Sequence, residues 1–306
     1  PEAWANAVTR FEAMAAPHLV GIDEIDAPDA NDRYMLLQTL LGAWPNELLE
    51  HESEDAIAAF RGRVEEYARK ALREAKRHTS WVHVNEAYEE ATAALLRALL
   101  DPAGGFLRAF RPLAQRLAYT GMLTGLARTA LKATLPGVPD TYQGTEFWDL
   151  SLVDPDNRRP VDYAARAEAL AREPDFAALL QGWRDGRVKQ QVLARLLADR
   201  AAAPDFYAKA DYQPLAVEGA KSRHVLAFRR SLGSEALIVA VPRLVGRFTE
   251  GENPPLGRAF WEDTGVMAGS GRWREVVTGA ELAGDERLKA GELFSTFPIA
   301  VLRTLQ

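Results

Sequence analysis

The sequence of 306 residues contains no cysteine, so disulfide bonds and thiolate zinc sites are excluded. It has no apolar run near the ~20 residues that span a bilayer, and no charged-then-apolar leader opens the chain. The net charge of −6 lacks the basic excess that nucleic-acid binding requires. We therefore expect a cytoplasmic protein with neither a membrane nor a nucleic-acid partner.

The chain also lacks an initiator methionine, because it begins at Pro1. This start fits a processed terminus or a piece of a longer protein. The rest of the composition is ordinary, since 47% of the residues are hydrophobic and 26% are charged. A chain of this length buries a large core and is expected to form two or more domains.

Helical spacing of apolar residues runs through residues 1–134. Ser53 has a side chain typical of a helix N-cap, and Asn85 is expected to begin another helix. Pro45 is expected to end the helix that runs up to Trp44. The predicted helical stretches are Asp32–Trp44, Ala56–Lys76, one that begins at Asn85, and two segments between Phe106 and Thr134.

The pattern changes after residue 134. Residues 138–142 form the one good strand candidate before residue 210, and helical patterns return at 161–171, 175–183 and 187–202. From Tyr212 onward, β-branched runs separated by Gly and Pro predict an antiparallel β-sandwich of about 95 residues. We predict a multi-domain α+β protein with three parts, residues 1–134, 135–209 and 210–306.

The strand predicted at Val138–Tyr142 has no local partner. A parallel strand needs neighbours in a barrel or an open sheet, and this chain offers no further βα units to supply them. We therefore expect this strand to belong to a barrel whose other strands lie outside the chain.

Polar and aromatic side chains are concentrated between Leu135 and Pro160, in the tract LPGVPDTYQGTEFWDLSLVDPDNRRP. Loops that follow strands in parallel α/β enzymes carry binding groups, and aromatic faces with carboxylates and guanidinium groups suit a sugar-binding cleft. The predicted substrate-binding residues are Tyr142, Gln143, Glu146, Trp148, Asp154, Asp156, Asn157, Arg158 and Arg159, together with His78 and Trp81 upstream.

These signals also have structural interpretations. Residues 142–146 could form a turn that needs Gly144 for its backbone angles. The run Asp154–Arg159 could be a solvated turn, or a loop held by buried arginine–carboxylate pairs. Trp81 could pack at a helix end instead of stacking on a sugar. From the residues alone, both kinds of role stay open.

For three other groups of candidate binding residues, the sequence favours structural roles. His78 and His83 have no evident third ligand, so we expect no metal site. The acidic segment 23–32 lacks the Gly and the spacing of a calcium loop, so we expect it to lead to a helix N-cap. Trp261 and Trp273 are expected to pack between sheets and not to bind glycan.

Four parts of the chain resemble one enzyme family. Residues 135–146 are similar to the eighth barrel strand and following loop of the α-amylase superfamily, and the continuation to Pro160 is similar, more specifically, to its maltooligosyltrehalose synthases. Residues 31–45 (NDRYMLLQTLLGAWP) and 76–81 (KRHTSW) resemble that family's helical insertion. The segments 225–230, 273–279 and 297–302 resemble its C-terminal β domain.

This resemblance implies a (1→4)-α-D-glucan 1-α-D-glucosylmutase, which converts the reducing-end α-1,4 linkage of a maltooligosaccharide into an α,α-1,1 linkage and needs no cofactor. The chemistry is that of retaining glycosidases, with a nucleophilic carboxylate and a general acid/base. No Asp or Glu here matches the family's catalytic positions, which lie on earlier barrel strands. The resemblance thus implies the C-terminal portion of the enzyme, without catalytic residues and with the N-terminal barrel portion as its partner.

Two other functions stay open from the residues alone. The chain could be a non-catalytic module that binds glycan or a protein, or it could be part of an amylase-type glycoside hydrolase. An upstream coding sequence with the missing barrel strands and carboxylates would favour the enzyme. Product analysis on maltopentaose would separate a mutase from a hydrolase.

Overall fold

The computed structural model describes residues 2–51, 53–249 and 252–305. The chain forms two compact units, one made of Pro1–Gln115 with Leu150–Pro160 and the other of Arg116–Asp149 with Val161–Gln306. These units divide the chain at other points than the boundaries predicted after residues 134 and 209. The predicted three-part division therefore stays a prediction.

Five helices come first along the chain. They are α1 (Glu2–Ala15), α2 (Ala30–Gly42), α3 (Glu54–Ala75), α4 (Glu86–Leu99) and α5 (Phe106–Thr134). Side-chain oxygens of Asp29, Ser53 and Asn85 accept hydrogen bonds from backbone N–H groups in the first turns of α2, α3 and α4. The N-cap predicted at Ser53 and the helix start predicted at Asn85 are confirmed, and the acidic segment before α2 does lead to a cap.

Aromatic side chains form the core of the first unit. Between ring centroids, Phe11 lies 5.1 Å from Phe106, and Trp44 lies 4.9 Å from Phe110 and 5.2 Å from Phe60. All five rings are buried. Such contacts contribute about 0.5–1.5 kcal/mol per pair beyond the area that they bury. They tie α1, α3 and α5 to the tryptophan that follows α2.

A short hairpin lies between α1 and α2. Its strands β1 (Val20–Ile22) and β2 (Ile25–Ala27) are antiparallel. The turn residues Asp23 and Glu24 have positive φ angles of 48° and 67°, as a two-residue hairpin turn requires. The sequence predicts no strand here, because the turn lacks the Gly or Asn that usually marks it.

Helix α5 is a single helix of 29 residues, whereas the sequence predicts two segments. Pro112 lies inside this helix without ending it. A proline in a helix interior costs about 3 kcal/mol or more. Apolar residues that are buried along the whole helix, from Phe110 through Met122 to Ala133, outweigh that cost.

The second unit contains two antiparallel sheets. The strands are β3 (Gln213–Pro214), β4 (Val217–Glu218), β5 (Val225–Leu232), β6 (Glu235–Pro242), β7 (Gly265–Met267), β8 (Gly271–Glu275), β9 (Glu281–Gly284), β10 (Arg287–Lys289) and β11 (Ala300–Thr304). A six-stranded sheet has the order β3-β5-β6-β11-β8-β9, and a three-stranded sheet has the order β10-β7-β4. The antiparallel sheets predicted after residue 210 are confirmed.

Side chains from both sheets share one buried cluster. Ile238 and Leu302 come from the larger sheet, and Val266 comes from the smaller one. Trp261 and Trp273 belong to the same cluster and are buried in it. The packing role expected for these two tryptophans is therefore confirmed.

Six helices complete the described part of the second unit: α6 (Tyr163–Ala171), α7 (Phe176–Gln181), α8 (Arg187–Ala202), α9 (Pro204–Lys209), α10 (Gly257–Trp261) and α11 (Ala290–Leu293). The first three match the predicted helical stretches. Among the residues that the structure describes, no helix combines the length and hydropathy needed to cross a bilayer.

Arg230 of β5 joins the larger sheet to the helices of the second unit. Its side chain is almost completely buried, and it donates to four backbone carbonyl oxygens, those of Thr134, Tyr207, Ala210 and Asp211. Burial lowers the pKa of this guanidinium. A buried charge is tolerated only when its donors are satisfied, so these carbonyl groups must stay where they are.

The strand predicted at Val138–Tyr142 is not present in this chain by itself, as expected of a strand whose barrel neighbours lie elsewhere. The segment is irregular, and Val138 is 95% exposed. Within the described residues no strand pairs with it, and an extended segment without a partner cannot form a β ladder. The expected barrel strand is therefore not confirmed.

Replacing Gly186 by alanine should destabilise the second unit. Gly186 has a φ of +81°, and a Cβ there would lie 2.7 Å from the backbone nitrogen of Trp148. Left-handed backbone and a clash together predict a loss of about 2–4 kcal/mol. Urea unfolding followed by circular dichroism measures this loss.

Gly62 provides the matched control. It lies on the exposed side of α3, and a Cβ there would meet no atom within 4 Å. Gly62→Ala should therefore raise the stability by about 0.5–1 kcal/mol. Equal changes in unfolding free energy for the two substitutions would contradict the positive φ angle and the close contact described for Gly186.

Candidate functional site

The loop after α5 carries most of the predicted binding residues, and its parts belong to different units. Tyr142, Gln143, Glu146 and Trp148 lie in the second unit, whereas residues 154–159 lie in the first. His78 and Trp81 also belong to the first unit.

Arg166 of α6 holds the turn around Glu146. Its Nε donates to Glu146 Oε2 at 3.1 Å, and its Nη2 donates to the carbonyl oxygen of Gly144 at 2.6 Å. The guanidinium also lies 4.6 Å from the centroid of the Phe147 ring. Glu146 is therefore engaged in an ion pair that fixes the path of the backbone.

Trp148 is packed against α8 and the residues before it. Its indole N–H donates to the carbonyl oxygen of Trp183 at 2.5 Å. Lys189 donates to the carbonyl oxygen of Phe147 at 3.0 Å, and its ammonium lies 5.6 Å from the Trp148 ring centroid. Burial, with help from the neighbouring Lys132, lowers the pKa of Lys189.

Tyr142 and Gln143 are the exposed residues of this set. Tyr142 is half exposed, and its carbonyl oxygen accepts hydrogen bonds from the backbone N–H and the hydroxyl of Thr145. The Gln143 side chain accepts a hydrogen bond from the Tyr163 hydroxyl at 3.2 Å. Of the four predicted residues in this unit, these two present the most side-chain surface to a ligand.

In the first unit, Arg63 of α3 binds Asp156 with two parallel hydrogen bonds of 2.9 Å. The same guanidinium donates to the carbonyl oxygen of Leu150, and the Leu152 N–H donates to the Asp156 carboxylate. Burial opposes ionisation of Asp156, but the hydrogen bonds from Arg63 and Leu152 outweigh it and hold its pKa below the ordinary value.

Lys70, two turns further along α3, binds Asp154. Its ammonium donates to the Asp154 carbonyl oxygen at 2.7 Å and lies 3.6 Å from the carboxylate. Arg158 pairs with the same carboxylate, and Arg159 donates to the Ser151 hydroxyl at 3.1 Å. Arg158 and Asn157 are largely exposed, whereas the two aspartates face the helix.

His78 lies in a cluster with Asp29, Asp32 and Tyr88. Its Nε2 is 2.9 Å from Asp29 Oδ2, its ring stacks on Tyr88 at 4.6 Å, and the Tyr88 hydroxyl donates to Asp32 at 2.6 Å. Burial opposes ionisation of Asp29, but its hydrogen bonds hold the pKa below the ordinary value. Burial also raises the pKa of Tyr88.

Among the described residues, Asp29, Asp32 and His78 form the group whose ligand atoms are close enough to hold a metal ion, all within 4.8 Å of one another. Arg77 donates to Asp29 at 2.6 Å and lies 3.6 Å from Asp32. A guanidinium thus already balances both carboxylates. The contacts of His78 are those of a residue that fixes the start of the loop between α3 and α4.

The residues that bind the predicted set come from helices and were not singled out by the sequence. Arg63 and Lys70 reach the loop from α3, and Arg166 and Lys189 reach it from α6 and α8. Arg63 and Asp156 are 93 positions apart. No local pattern connects such partners, so only the fold reveals them.

No protein-family model matches the chain. A putative maltooligosyl trehalose synthase of Mycobacterium tuberculosis (strain CDC 1551 / Oshkosh) is 36% identical over 302 residues, which are 99% of this chain and 34% of that protein. The chain therefore spans about one third of the length of this relative.

Two solved structures are also similar. The maltooligosyltrehalose synthase of Arthrobacter ramosus has a TM-score of 0.75 and 33% identity, over all of this chain and 35% of that one. A hypothetical maltooligosyl trehalose synthase of Sulfolobus tokodaii has a TM-score of 0.70 and 26% identity, over 99% of this chain and 35% of that one. Over practically its whole length, this chain is thus related to maltooligosyl trehalose synthases, and it corresponds to about one third of such a protein.

Proposed function

We propose that this chain is the C-terminal portion of a maltooligosyl trehalose synthase. The complete enzyme would convert the reducing-end α-1,4 linkage of a maltooligosaccharide into an α,α-1,1 linkage by intramolecular transglucosylation, as an isomerase of trehalose biosynthesis. The observation that carries the proposal is the 36% identity over 302 residues, which leaves almost no part of this chain unmatched.

The chemistry requires carboxylates that this chain does not supply. Retaining transfer at an anomeric carbon needs a nucleophilic carboxylate and a general acid/base about 5 Å apart. In the proposal both come from the N-terminal barrel portion of the same protein. Glu146, Asp154 and Asp156 are each occupied by an arginine or lysine, which supports a role in holding the loop and not in catalysis.

We further propose that residues 138–142 become the last strand of the barrel when the barrel portion is present. Two features support this. The segment begins with the apolar, β-branched Val138, and that residue is almost fully exposed. A strand that another part of the protein supplies would pair with the segment and bury this side chain.

The proposed substrate contacts are divided by exposure. Tyr142, Gln143, Asn157, Arg158 and Arg159 are exposed, and we assign them to contacts with sugar hydroxyls and ring faces, together with Trp81. The less exposed residues are assigned to positioning, and these are Glu146, Trp148, Asp154, Asp156 and His78. Their contacts fix the backbone from which the exposed side chains project.

The activity can be tested on maltopentaose. The longer gene product that contains this sequence should remove reducing ends without releasing free glucose, because the transfer stays within one molecule. The purified chain alone should show no transfer, because it lacks the catalytic carboxylates. A reducing-sugar assay combined with chromatography of the products measures both results.

Two results would contradict the proposal. Turnover of maltopentaose by the chain alone would place catalytic groups within it. Release of glucose or maltose by the longer protein, with new reducing ends, would identify a hydrolase of the α-amylase type.

Removing the charge of Asp156 should loosen the loop in the first unit. Asp156→Asn should cost about 1.5–3 kcal/mol near neutral pH, since hydrogen bonds to charged partners are worth that much. The folded-state pKa of Asp156 lies below the ordinary value of 3.8. The stabilisation by the ionised Asp156 carboxylate is therefore complete above pH 3.8 and is lost as the pH falls through the lowered pKa of the folded state.

The measurement is chemical unfolding of wild type and Asp156→Asn at several pH values. The difference in unfolding free energy between the two proteins should shrink in acid. When both proteins also carry Arg63→Met, most of the difference at neutral pH should disappear. Asp205→Asn is the control, because Asp205 is exposed and its pair with Lys209 is worth only about 0–0.5 kcal/mol. A difference that is independent of pH would rule out the ion pair as its cause.

A further inference from the structure

The loop between α3 and α4 carries an exposed tryptophan. Trp81 is 57% exposed, and Val82 beside it is exposed as well. Four other tryptophans are buried, namely Trp44, Trp183, Trp261 and Trp273. A large aromatic side chain that is kept in water indicates a contact surface, because its burial elsewhere would be favourable.

One face of the Trp81 indole is covered. The guanidinium carbon of Arg73 lies 5.0 Å from the ring centroid. The exposed surface therefore belongs to the opposite face and to the ring edge. A flat apolar face of this kind matches the C–H face of a neutral pyranose ring, whose hydroxyls lie around its edge.

Arg73 is itself fixed by Glu89 of α4. Two parallel hydrogen bonds of 2.8 and 2.7 Å join the guanidinium to the carboxylate, and the buried Thr79 hydroxyl donates to the same carboxylate at 2.7 Å. The hydrogen bond from Arg73 is the main cause that lowers the pKa of Glu89. The pair therefore stays ionised at neutral pH, and Arg73 has little freedom to leave the indole.

The loop around Trp81 is closed by its own hydrogen bonds. The Ser80 N–H donates to the His83 carbonyl oxygen, and the His83 N–H donates to the Ser80 hydroxyl, both at 2.9 Å. The Asn85 N–H donates to the Thr79 hydroxyl at 3.0 Å. A surface that is ordered before a ligand arrives loses little entropy on binding.

We infer that Trp81 is the stacking platform for one glucosyl unit of an α-1,4-glucan, and that Arg73 is the positioning residue that holds the indole in place. The choice of sugar rests on the proposed function. Arg73 covers the inner face of the indole and does not contact the glucan. Glu89 acts one step further away, because it holds the guanidinium.

Binding of maltoheptaose to the full chain tests the platform by isothermal titration calorimetry. Trp81→Ala should weaken binding about tenfold, which corresponds to about 1.4 kcal/mol. Arg73→Met removes the charge and the pair with Glu89, and it should weaken binding several-fold, whereas Arg73→Lys should restore part of the loss. Arg61→Met on the same helix is the control and should leave the affinity unchanged.

A spectroscopic readout separates positioning from a merely structural role. Arg73→Met should increase the acrylamide quenching of tryptophan fluorescence and change the near-ultraviolet circular dichroism, with an unchanged far-ultraviolet spectrum. The increase should be absent when Trp81 is also replaced by alanine. A lower melting temperature without a change in quenching would show that Arg73 does not position the indole.

The platform is overturned if Trp81→Ala binds maltoheptaose as tightly as the unaltered chain, or if the unaltered chain shows no saturable binding in the millimolar range. Failure of the proposed function looks different. Binding that depends on Trp81, together with a longer gene product that forms no trehalose-ended glucan, leaves the platform standing and contradicts the synthase.

Discussion

Arginine–carboxylate pairs fix the loop that carries the candidate site, and the other features of the site depend on them. In the first unit Arg63 binds Asp156, and in the second unit Arg166 binds Glu146. Each guanidinium also binds a carbonyl oxygen of the loop. A loop without regular secondary structure has no ladder to hold it, so these charged groups determine its path.

Arg73 shows the same arrangement as Arg63 and Arg166. Each arginine combines a carboxylate with an aromatic ring: Arg63 lies over Phe60, Arg73 over Trp81 and Arg166 over Phe147. A planar guanidinium can bind a carboxylate with its edge and cover a ring with its face, which lysine cannot do. The three sites differ in exposure, and the ring at the second site is the one that faces solvent.

Local features were predictable from the sequence, and distant ones were not. Ser53 and Asn85 cap helices because a cap depends on neighbouring residues. Pro112 was misleading, because packing along the whole of α5 outweighs a local penalty. The strand predicted at 138–142 is not confirmed, because a strand exists only with a partner. The roles of Arg63 and Arg166 were not predictable, since their partners are set by the fold.

The exposed Val138 has a practical consequence in a chain without cysteine. A thiol introduced at that position would be the sole one in this sequence of 306 residues, so a maleimide dye would label the chain at this segment. The emission of such a dye depends on the polarity around it. The emission wavelength of the labelled chain would therefore change when another polypeptide covers this segment.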